Sequence, residues 1–191
     1  MQKAAKLIIA AVAAFSATAC ANSEQASTGG QTGGNSTSAA PTSASAPASS
    51  NANTAVECTA DDIKVEGAFG AKPNITVPDA CSPPRTLLSK DLSPGTGPEV
   101  KAGSTMLTNY HLVTWSEKTV KDSSFERGEP FPLENVGQAQ VIDGWNEGLI
   151  GIKEGGRRLL IVPPDKGYGQ GGRGIAPNET LVFVIDAVKV T

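Results

Sequence analysis

The sequence predicts an α+β domain in which an antiparallel twisted sheet wraps around one short helix. Three observations lead to this fold class. Several segments in the second half of the chain alternate apolar and polar side chains with the two-residue period of β-strands, turn residues separate them, and one segment has helical spacing. Because the order is strands, helix, strands, the pattern favours an α+β arrangement over alternating βα units.

The predicted strands lie between residues 86 and 190. The clearest is 106–112, in which Met106, Thr108, Tyr110 and Leu112 fall on one face by two-residue alternation. The other predicted strands are 86–89, 113–114, 158–162 and Leu181–Val190. Clusters rich in glycine and proline or polar residues separate these segments and predict turns at 93–97, 101–103, 154–156 and 165–167.

The predicted helix is the segment from Ile142 to Ile152. Its apolar residues Trp145, Leu149 and Ile152 follow Ile142 by three, seven and ten residues, which places all four on one helical face. Asp143 stands near the start, where the helix macrodipole favours an acidic side chain. We therefore expect one helix that turns its apolar face toward the sheet.

The first 19 residues predict an export signal peptide. Lys3 and Lys6 precede a short apolar run that ends in small residues, and this run is too short for an ordinary membrane span. A cysteine, Cys20, follows directly, which resembles a bacterial lipoprotein signal. We then expect the protein at the outer face of the cytoplasmic membrane, anchored through lipidated Cys20. The same small residues suit ordinary signal peptidase, which would leave a secreted chain.

Residues 20–55 are predicted to be a tether between this anchor and the folded part. After Cys20, every residue except Glu24 is Ala, Ser, Thr, Gly, Asn, Gln or Pro. Such a segment buries too little apolar surface to offset the entropy of ordering. As a random coil it would span roughly 30–35 Å, and fully stretched about 115 Å.

The chain has three cysteines, an awkward number for an exported protein. If Cys20 carries the lipid, Cys58 and Cys81 remain as a pair that an oxidising compartment would join. The closed loop is worth about 3 kcal/mol in the chain-entropy model. Residues 56–84 are thus predicted to be a small disulfide-closed extension, and two free thiols are the alternative.

Charge and composition exclude several classes of function. The formal net charge is −3, and loss of the signal peptide leaves 14 basic against 19 acidic side chains, or −5. Without a dense basic cluster, nucleic acid is not an expected partner. His111 is the single histidine, so the chain has few side chains from which a Ser-His-Asp triad or a zinc site could form. We expect no metal and no cofactor. The Gly167, Gly169, Gly172 spacing matches a dinucleotide motif, but no helix follows it.

Several motifs between residues 87 and 190 together resemble the family of FKBP-type peptidyl-prolyl cis-trans isomerases. In chain order they are Ser93-Pro94-Gly95-Thr96-Gly97, Tyr110, Asp122-Ser123-Ser124 with Arg127, Pro130-Phe131, Gln140-Val141-Ile142, Gly144-Trp145, Pro164-Asp165, Tyr168-Gly169, Ile175 and Pro177-Asn178-Glu179-Thr180-Leu181-Val182-Phe183. None is specific alone, but their order and spacing are similar to the family's. The resemblance assigns residues 85–191 to an isomerase domain.

The resemblance implies an aromatic pocket that isomerises X–Pro bonds without a nucleophile. The residues it implies for catalysis are Tyr110, Asp122, Phe131, Val141, Ile142, Trp145, Tyr168 and Phe183. Those it implies for substrate binding are Arg127, Gln140 and Ile175. The proline ring would lie on Trp145, while the Ile142 backbone N–H and the Tyr168 hydroxyl would hold a substrate carbonyl.

The expected partners are proline-containing exported polypeptides and macrolides of the rapamycin type. The alternative is a non-catalytic module that keeps the fold and binds peptides as a chaperone. Lys121 favours this alternative, because it stands directly before Asp122 where the family usually has phenylalanine. It would remove one apolar wall and place a cation beside the carboxylate.

Overall fold

The computed structural model describes residues 56–191. The predicted signal peptide, Cys20 and the tether up to residue 55 lie outside these residues. None of the helices in residues 56–191 has the length and hydropathy of a membrane span. The elements are β1 (Lys64–Glu66), β2 (Asn74–Thr76), β3 (Leu88–Ser93), β4 (Met106–Thr114), β5 (Val120–Ser123), α1 (Ser124–Arg127), β6 (Phe131–Leu133), α2 (Asp143–Gly148), β7 (Arg157–Val162), a 3₁₀ turn (Pro164–Lys166) and β8 (Leu181–Val190).

One antiparallel sheet organises the domain. Its strand order is β3-β7-β8-β4-β5, and the short β6 pairs with the other end of β4. The longest pairing joins β4 to β8, from Met106 opposite Val190 to Thr114 opposite Leu181. The predicted α+β class with an antiparallel sheet around a short helix is confirmed. The two predicted segments 106–112 and 113–114 form one continuous strand, β4.

The helix is shorter than its apolar spacing predicts. It ends at Gly148, and the chain then turns through Gly151, whose φ of 83° lies in the left-handed region. Ile152 is still buried at 1% exposure, because this turn leads it back into the core rather than along a helical face. The sequence also gave no indication of α1 and β6, since elements of three or four residues are too short to show a period.

Glycines bring α2 into close contact with the sheet. A Cβ atom on Gly144 would lie 2.4 Å from Val162 Cγ1, and one on Gly148 would lie 2.8 Å from Leu160 Cδ2. The two glycines are one helical turn apart, and the two apolar residues are on one face of β7. Because a side chain at either glycine would displace Val162 or Leu160, the helix backbone lies close to the strand, and this contact helps to set the position of Trp145.

The extension, residues 56–84, covers the other face of the sheet. Cys58 and Cys81 form a disulfide, which confirms the predicted pairing, and β1 and β2 form a small hairpin between them. The buried apolar residues of this second core are Cys58, Ile63, Val77, Val113, Trp115, Leu159, Ile161, Val182 and Val184. Both faces of the central strands are therefore buried, one under α2 and one under the extension.

A buried ion pair fastens the extension to the sheet. Arg157 on β7 donates to Asp186 on β8 at 2.6 and 2.8 Å, and the two side chains are 2% and 0% exposed. The same guanidinium donates to the carbonyls of Gly67 and Ala71, while Asp186 accepts from the Gly70 N–H at 2.8 Å. Because a buried charge without partners is costly, these backbone groups of the extension complete the pair.

The single histidine lies under the same extension. His111 on β4 is 3% exposed, and its Nδ1 is 3.0 Å from the Ser123 hydroxyl. Burial lowers the pKa of His111, and the charge of Lys72 lowers it further, against the opposing charge of Glu126. The folded protein therefore holds this imidazole neutral at pH values where the unfolded chain would take up a proton.

We predict that Arg157→Met lowers the free energy of unfolding by about 3–5 kcal/mol, because it leaves Asp186 buried without its cation. Urea unfolding monitored by circular dichroism measures this change. The double variant R157M/D186L should recover much of the loss. Lys72→Met is a matched control, since its ion pair with Glu126 is about half exposed and its loss should change stability far less. Equal losses for R157M and K72M would contradict the prediction.

A second prediction concerns pH. Folding lowers the pKa of His111 below its ordinary value of 6.5. Below pH 6.5 the unfolded state therefore binds more protons than the folded state, and the free energy of unfolding decreases as the pH is lowered. The loss reaches at most about 1.4 kcal/mol for each pH unit down to the folded pKa. Urea unfolding at pH 7.5 and 5.5 measures it. Because the chain has no other histidine, His111→Gln should remove most of this pH dependence. A dependence that persists in H111Q would refute the assignment.

Candidate functional site

A cavity of about 440 Å³ opens between α2, the inner sheet face and the loop before β8. Its lining residues are Tyr110, Leu112, Asp122, Phe131, Gln140, Val141, Ile142, Asp143, Trp145, Gly167, Tyr168, Arg173 and Phe183. All the residues predicted for catalysis are in this set, as is Gln140. Arg127 and Ile175, predicted for substrate binding, do not line the cavity. Arg127 donates to Asp122 from outside the cavity, and Ile175 is buried in the core at 6% exposure.

Trp145 forms the floor of this cavity. Three other aromatic rings meet the indole edge-on: Tyr110 at 5.2 Å, Phe183 at 5.5 Å and Phe131 at 6.0 Å between centroids. The indole is only 4% exposed, because these rings cover its edges, yet it still contributes to the cavity surface. Edge-to-face packing at these distances is favourable and leaves little freedom for the floor to move.

The indole nitrogen of Trp145 is an exception among buried polar groups. Its Nε1 is the single buried side-chain nitrogen or oxygen in residues 56–191 that lacks a hydrogen-bond partner. Burying a donor without a partner costs free energy, and native proteins seldom do so. The indole is therefore held in place by packing and not by a hydrogen bond.

One wall of the cavity carries a polar triad. The Tyr110 hydroxyl donates to Asp122 at 2.5 Å, and Arg127 donates to both Asp122 and the Tyr110 oxygen. The guanidinium also lies over the tyrosine ring, 5.3 Å from its centroid. Burial, together with the hydrogen bond to Asp122, raises the pKa of Tyr110, so the phenol stays neutral. The triad places one carboxylate oxygen at the cavity wall with its charge balanced by Arg127.

The Asp-Ser-Ser sequence explains how this triad is positioned. Ser124 begins α1, and its hydroxyl accepts a hydrogen bond from the Tyr110 N–H at 2.8 Å and donates to the Asn109 side chain at 3.0 Å. The serine therefore ties the start of α1 to β4. This link holds Asp122, two residues earlier on β5, opposite the Tyr110 hydroxyl.

Asn146 positions the wall formed by residues 137–142. Its side-chain oxygen accepts from the N–H groups of Gly137 and Ala139, and its nitrogen donates to the Ala139 carbonyl at 3.0 Å. The loop is thereby fastened to α2, one residue from Trp145. Within residues 56–191, the Ile142 N–H at the end of this loop donates to no protein acceptor. A free backbone donor at the cavity is available to a ligand carbonyl.

The 3₁₀ turn and the loop after it form the opposite wall. The Gly169 N–H bonds to the Pro164 carbonyl at 2.8 Å, and the Gly171 N–H bonds to the Tyr168 carbonyl at 2.7 Å. These bonds hold Tyr168 between two turns, half-buried and facing the cavity. The Tyr168 hydroxyl is therefore a second polar group that a ligand can reach.

Lys121 lies away from the cavity. Its ammonium pairs with Glu117 at 2.5 Å, and Lys121 is not among the lining residues. On β5, Lys121 and Asp122 are neighbours and so point to opposite faces of the strand. The expected cation beside the Asp122 carboxylate is not seen, and the guanidinium that does neutralise this carboxylate belongs to Arg127.

Sequence reasoning missed several residues of the site. Leu112, Asp143, Gly167 and Arg173 line the cavity, and Asn146 supports its wall. Leu112 was identifiable from the sequence, because it shares a strand face with Tyr110. Arg173 carried no such indication, since it stands in a glycine-rich loop without a period.

In the described part of the chain, one group of side chains has the spacing of metal ligands. Sulfur and carboxylate atoms of Cys58, Asp62 and Cys81 lie within 4.8 Å of one another. The two cysteines are joined as a disulfide and have no thiolate to offer, and Asp62 instead accepts from Thr59. This group therefore does not form a metal centre.

Comparisons with known proteins agree with this geometry. The family described as "FKBP-type peptidyl-prolyl cis-trans isomerase" matches residues 97–188. A protein of Streptomyces anulatus named FK506-binding protein is 43% identical over 122 residues, covering 62% of this chain and 97% of the relative. A Neisseria meningitidis protein of the same name is 41% identical over 108 residues, covering 55% and 96%. The crystal structure of FkpA from Escherichia coli superposes with a TM-score of 0.50 at 37% identity, covering 55% of this chain and 48% of that one.

Proposed function

This chain belongs to the family of FKBP-type peptidyl-prolyl cis-trans isomerases, and we propose that it isomerises X–Pro bonds of exported polypeptides in the cavity above Trp145. The observation that carries this proposal is the arrangement of that cavity. An indole floor, three aromatic neighbours and a free backbone N–H surround a space large enough for a prolyl residue.

The proposed mechanism is desolvation and twisting of the amide. Rotation about an X–Pro bond is slow because amide resonance must be broken, at a cost of about 18–20 kcal/mol. The planar amide is more dipolar than the twisted one, and hydrogen bonds from water to its carbonyl favour the planar form. An apolar cup that removes this water raises the planar state relative to the twisted transition state. A barrier lower by about 5–6 kcal/mol corresponds to roughly 10⁴-fold acceleration.

Each lining group has a proposed role in that mechanism. Trp145, Phe131 and Phe183 exclude water around the proline ring. The Ile142 N–H and the Tyr168 hydroxyl hold a substrate carbonyl next to the rotating bond. Asp122, neutralised by Arg127, faces the rotating carbonyl without donating a competing hydrogen bond. No covalent bond forms, so the mechanism needs neither a nucleophile nor a cofactor.

We also propose that macrolides of the FK506 and rapamycin type bind the same cavity. Relatives that this chain covers almost fully are named FK506-binding protein. A cyclic ligand with an amide-like carbonyl and an apolar ring would use the indole floor and the Ile142 N–H as a prolyl peptide does. Such a ligand should therefore compete with peptide substrates.

The proposed location is outside the cytoplasm, on a lipid anchor at Cys20. The disulfide between Cys58 and Cys81 supports an oxidising compartment, because thiols in the bacterial cytoplasm are kept reduced. The signal-like residues before Cys20 support the anchor. Clients would then be polypeptides that fold after export.

The two tryptophans provide a matched test of the site. We expect Trp145→Leu to lower kcat/KM for a prolyl peptide at least about tenfold, because the floor that desolvates the amide is lost. Trp115→Leu removes an indole of similar burial on the other face of the sheet and should leave kcat/KM unchanged. NMR exchange spectroscopy measures the rates, and circular dichroism verifies that both variants are folded.

Equal rates for the two leucine variants would overturn the role of Trp145. Asp122→Asn adds a second check: it removes the charge but keeps the shape, and should reduce kcat/KM if the carboxylate acts in the site. Macrolide binding with a wild-type rate equal to that in buffer would instead support a non-catalytic peptide-binding module.

The anchor is tested by Cys20→Ser. We expect the wild-type protein, expressed in a bacterium, to partition into detergent with the membrane fraction. The C20S variant should lose its lipid and leave that fraction, because the acyl chains attach to this sulfur. Mass spectrometry of the mature N-terminus identifies the modification. A wild-type protein found in the medium with an unmodified N-terminus would support the secreted alternative.

A further inference from the structure

The loop between the 3₁₀ turn and β8, which forms one wall of the cavity, contains a tight two-residue hairpin. The Gly172 N–H donates to the Ile175 carbonyl and the Ile175 N–H donates to the Gly172 carbonyl, both at 3.0 Å. The two residues between them, Arg173 and Gly174, have φ values of 53° and 79°. Positive φ at both central positions is the geometry of a type I′ turn.

Arginine is an unfavourable residue at its position in this turn. Both central positions of a type I′ turn favour Gly, Asn or Asp, because a long side chain in the left-handed region strains the backbone. A glycine at position 173 would relieve that strain in a loop that already contains several glycines. Backbone strain of this kind is stored preferentially at functional sites, so the arginine calls for an explanation other than local folding.

Intramolecular contacts do not provide that explanation. Arg173 is exposed and lines the cavity, but within residues 56–191 its guanidinium has neither a hydrogen bond nor an ion pair. The remaining charged residues of the lining are Asp122 and Asp143. Arg127 already neutralises Asp122, and among the ion pairs of residues 56–191 none joins Asp143 to Arg173. An unpartnered cation therefore stands at the rim of the cavity.

We propose that Arg173 is a specificity-determining residue, which pairs with a carboxylate side chain of the client next to the isomerised proline. This inference rests on the proposed function and adds a class of preferred substrate to it. A guanidinium presents several donors in a plane that fits a carboxylate. At the mouth of a concave site such a pair is less screened than on an open surface. Clients with glutamate or aspartate beside the proline should therefore be favoured over neutral ones.

Matched peptides test this inference. Two sets of peptides are compared: one varies the residue before the proline, the other the residue after it, and each set contains a Glu, a Gln and a Lys peptide. NMR exchange spectroscopy gives kcat/KM for each peptide. For wild-type protein we expect the Glu peptide to exceed the Gln peptide by about threefold to fivefold in at least one of the two positions. In 0.5 M NaCl the ratio should approach one, because salt screens the pair.

Two variants identify the source of the preference. Arg173→Gln should bring the Glu-to-Gln ratio to about one, whatever its effect on the Gln peptide itself, and Arg173→Glu should favour the Lys peptide. Lys166→Gln is a matched control, since Lys166 is a cation on the adjacent turn that pairs with Glu147 and does not line the cavity. It should keep the wild-type ratio.

The outcomes separate this inference from the proposed function. If no peptide is isomerised faster than in buffer, the proposed function fails. If Gln peptides are isomerised but Glu gives no advantage in either position, the Arg173 inference fails and the proposed function stands. A Glu preference that survives in R173Q, or disappears in K166Q, would likewise overturn the assignment to Arg173.

Discussion

The structure depends on a sheet that is apolar on both faces. Every residue of β7 is buried, as are the first seven residues of β8, so neither face can be left to water. An antiparallel sheet often needs only one covering layer, but this one requires two. The helix α2 covers the inner face and the extension covers the outer face. The extension is thus part of the folded unit rather than an appendage.

The two layers are attached by different kinds of interaction. The helix is held by backbone-close packing of Gly144 and Gly148 on β7, which is short-range and rigid. The extension, closed on itself by the disulfide, is held on the sheet by an apolar cluster and by the buried pair of Arg157 and Asp186. A buried ion pair contributes little net stability compared with apolar residues, but it is strict about geometry. It therefore favours one register of the extension on the sheet.

The cavity exists because this rigid frame brings large rings together without filling the space between them. Four aromatic side chains come from β4, β6, α2 and β8, and edge-to-face contacts fix their mutual angles. Polar groups line the cavity around this aromatic floor: the Asp122 triad, the Ile142 N–H, the Tyr168 hydroxyl, Gln140, Asp143 and Arg173. An aromatic floor surrounded by polar groups suits a reaction that requires desolvation and orientation rather than a reactive side chain.

Sequence alone was enough for the fold class, the principal strands, the disulfide and the ordered aromatic motifs. These features are local: two-residue alternation marks β4 and β8, cysteine counting pairs Cys58 with Cys81, and Trp145 stands in a recognisable motif. Tertiary structure decided what depends on long-range contacts. The burial of Arg157 against Asp186 joins two strands distant in the chain, and the position of Arg173 at the cavity is set by loop geometry. No period or composition encodes such contacts, because they arise only when the sheet brings its two covering layers and its loops together.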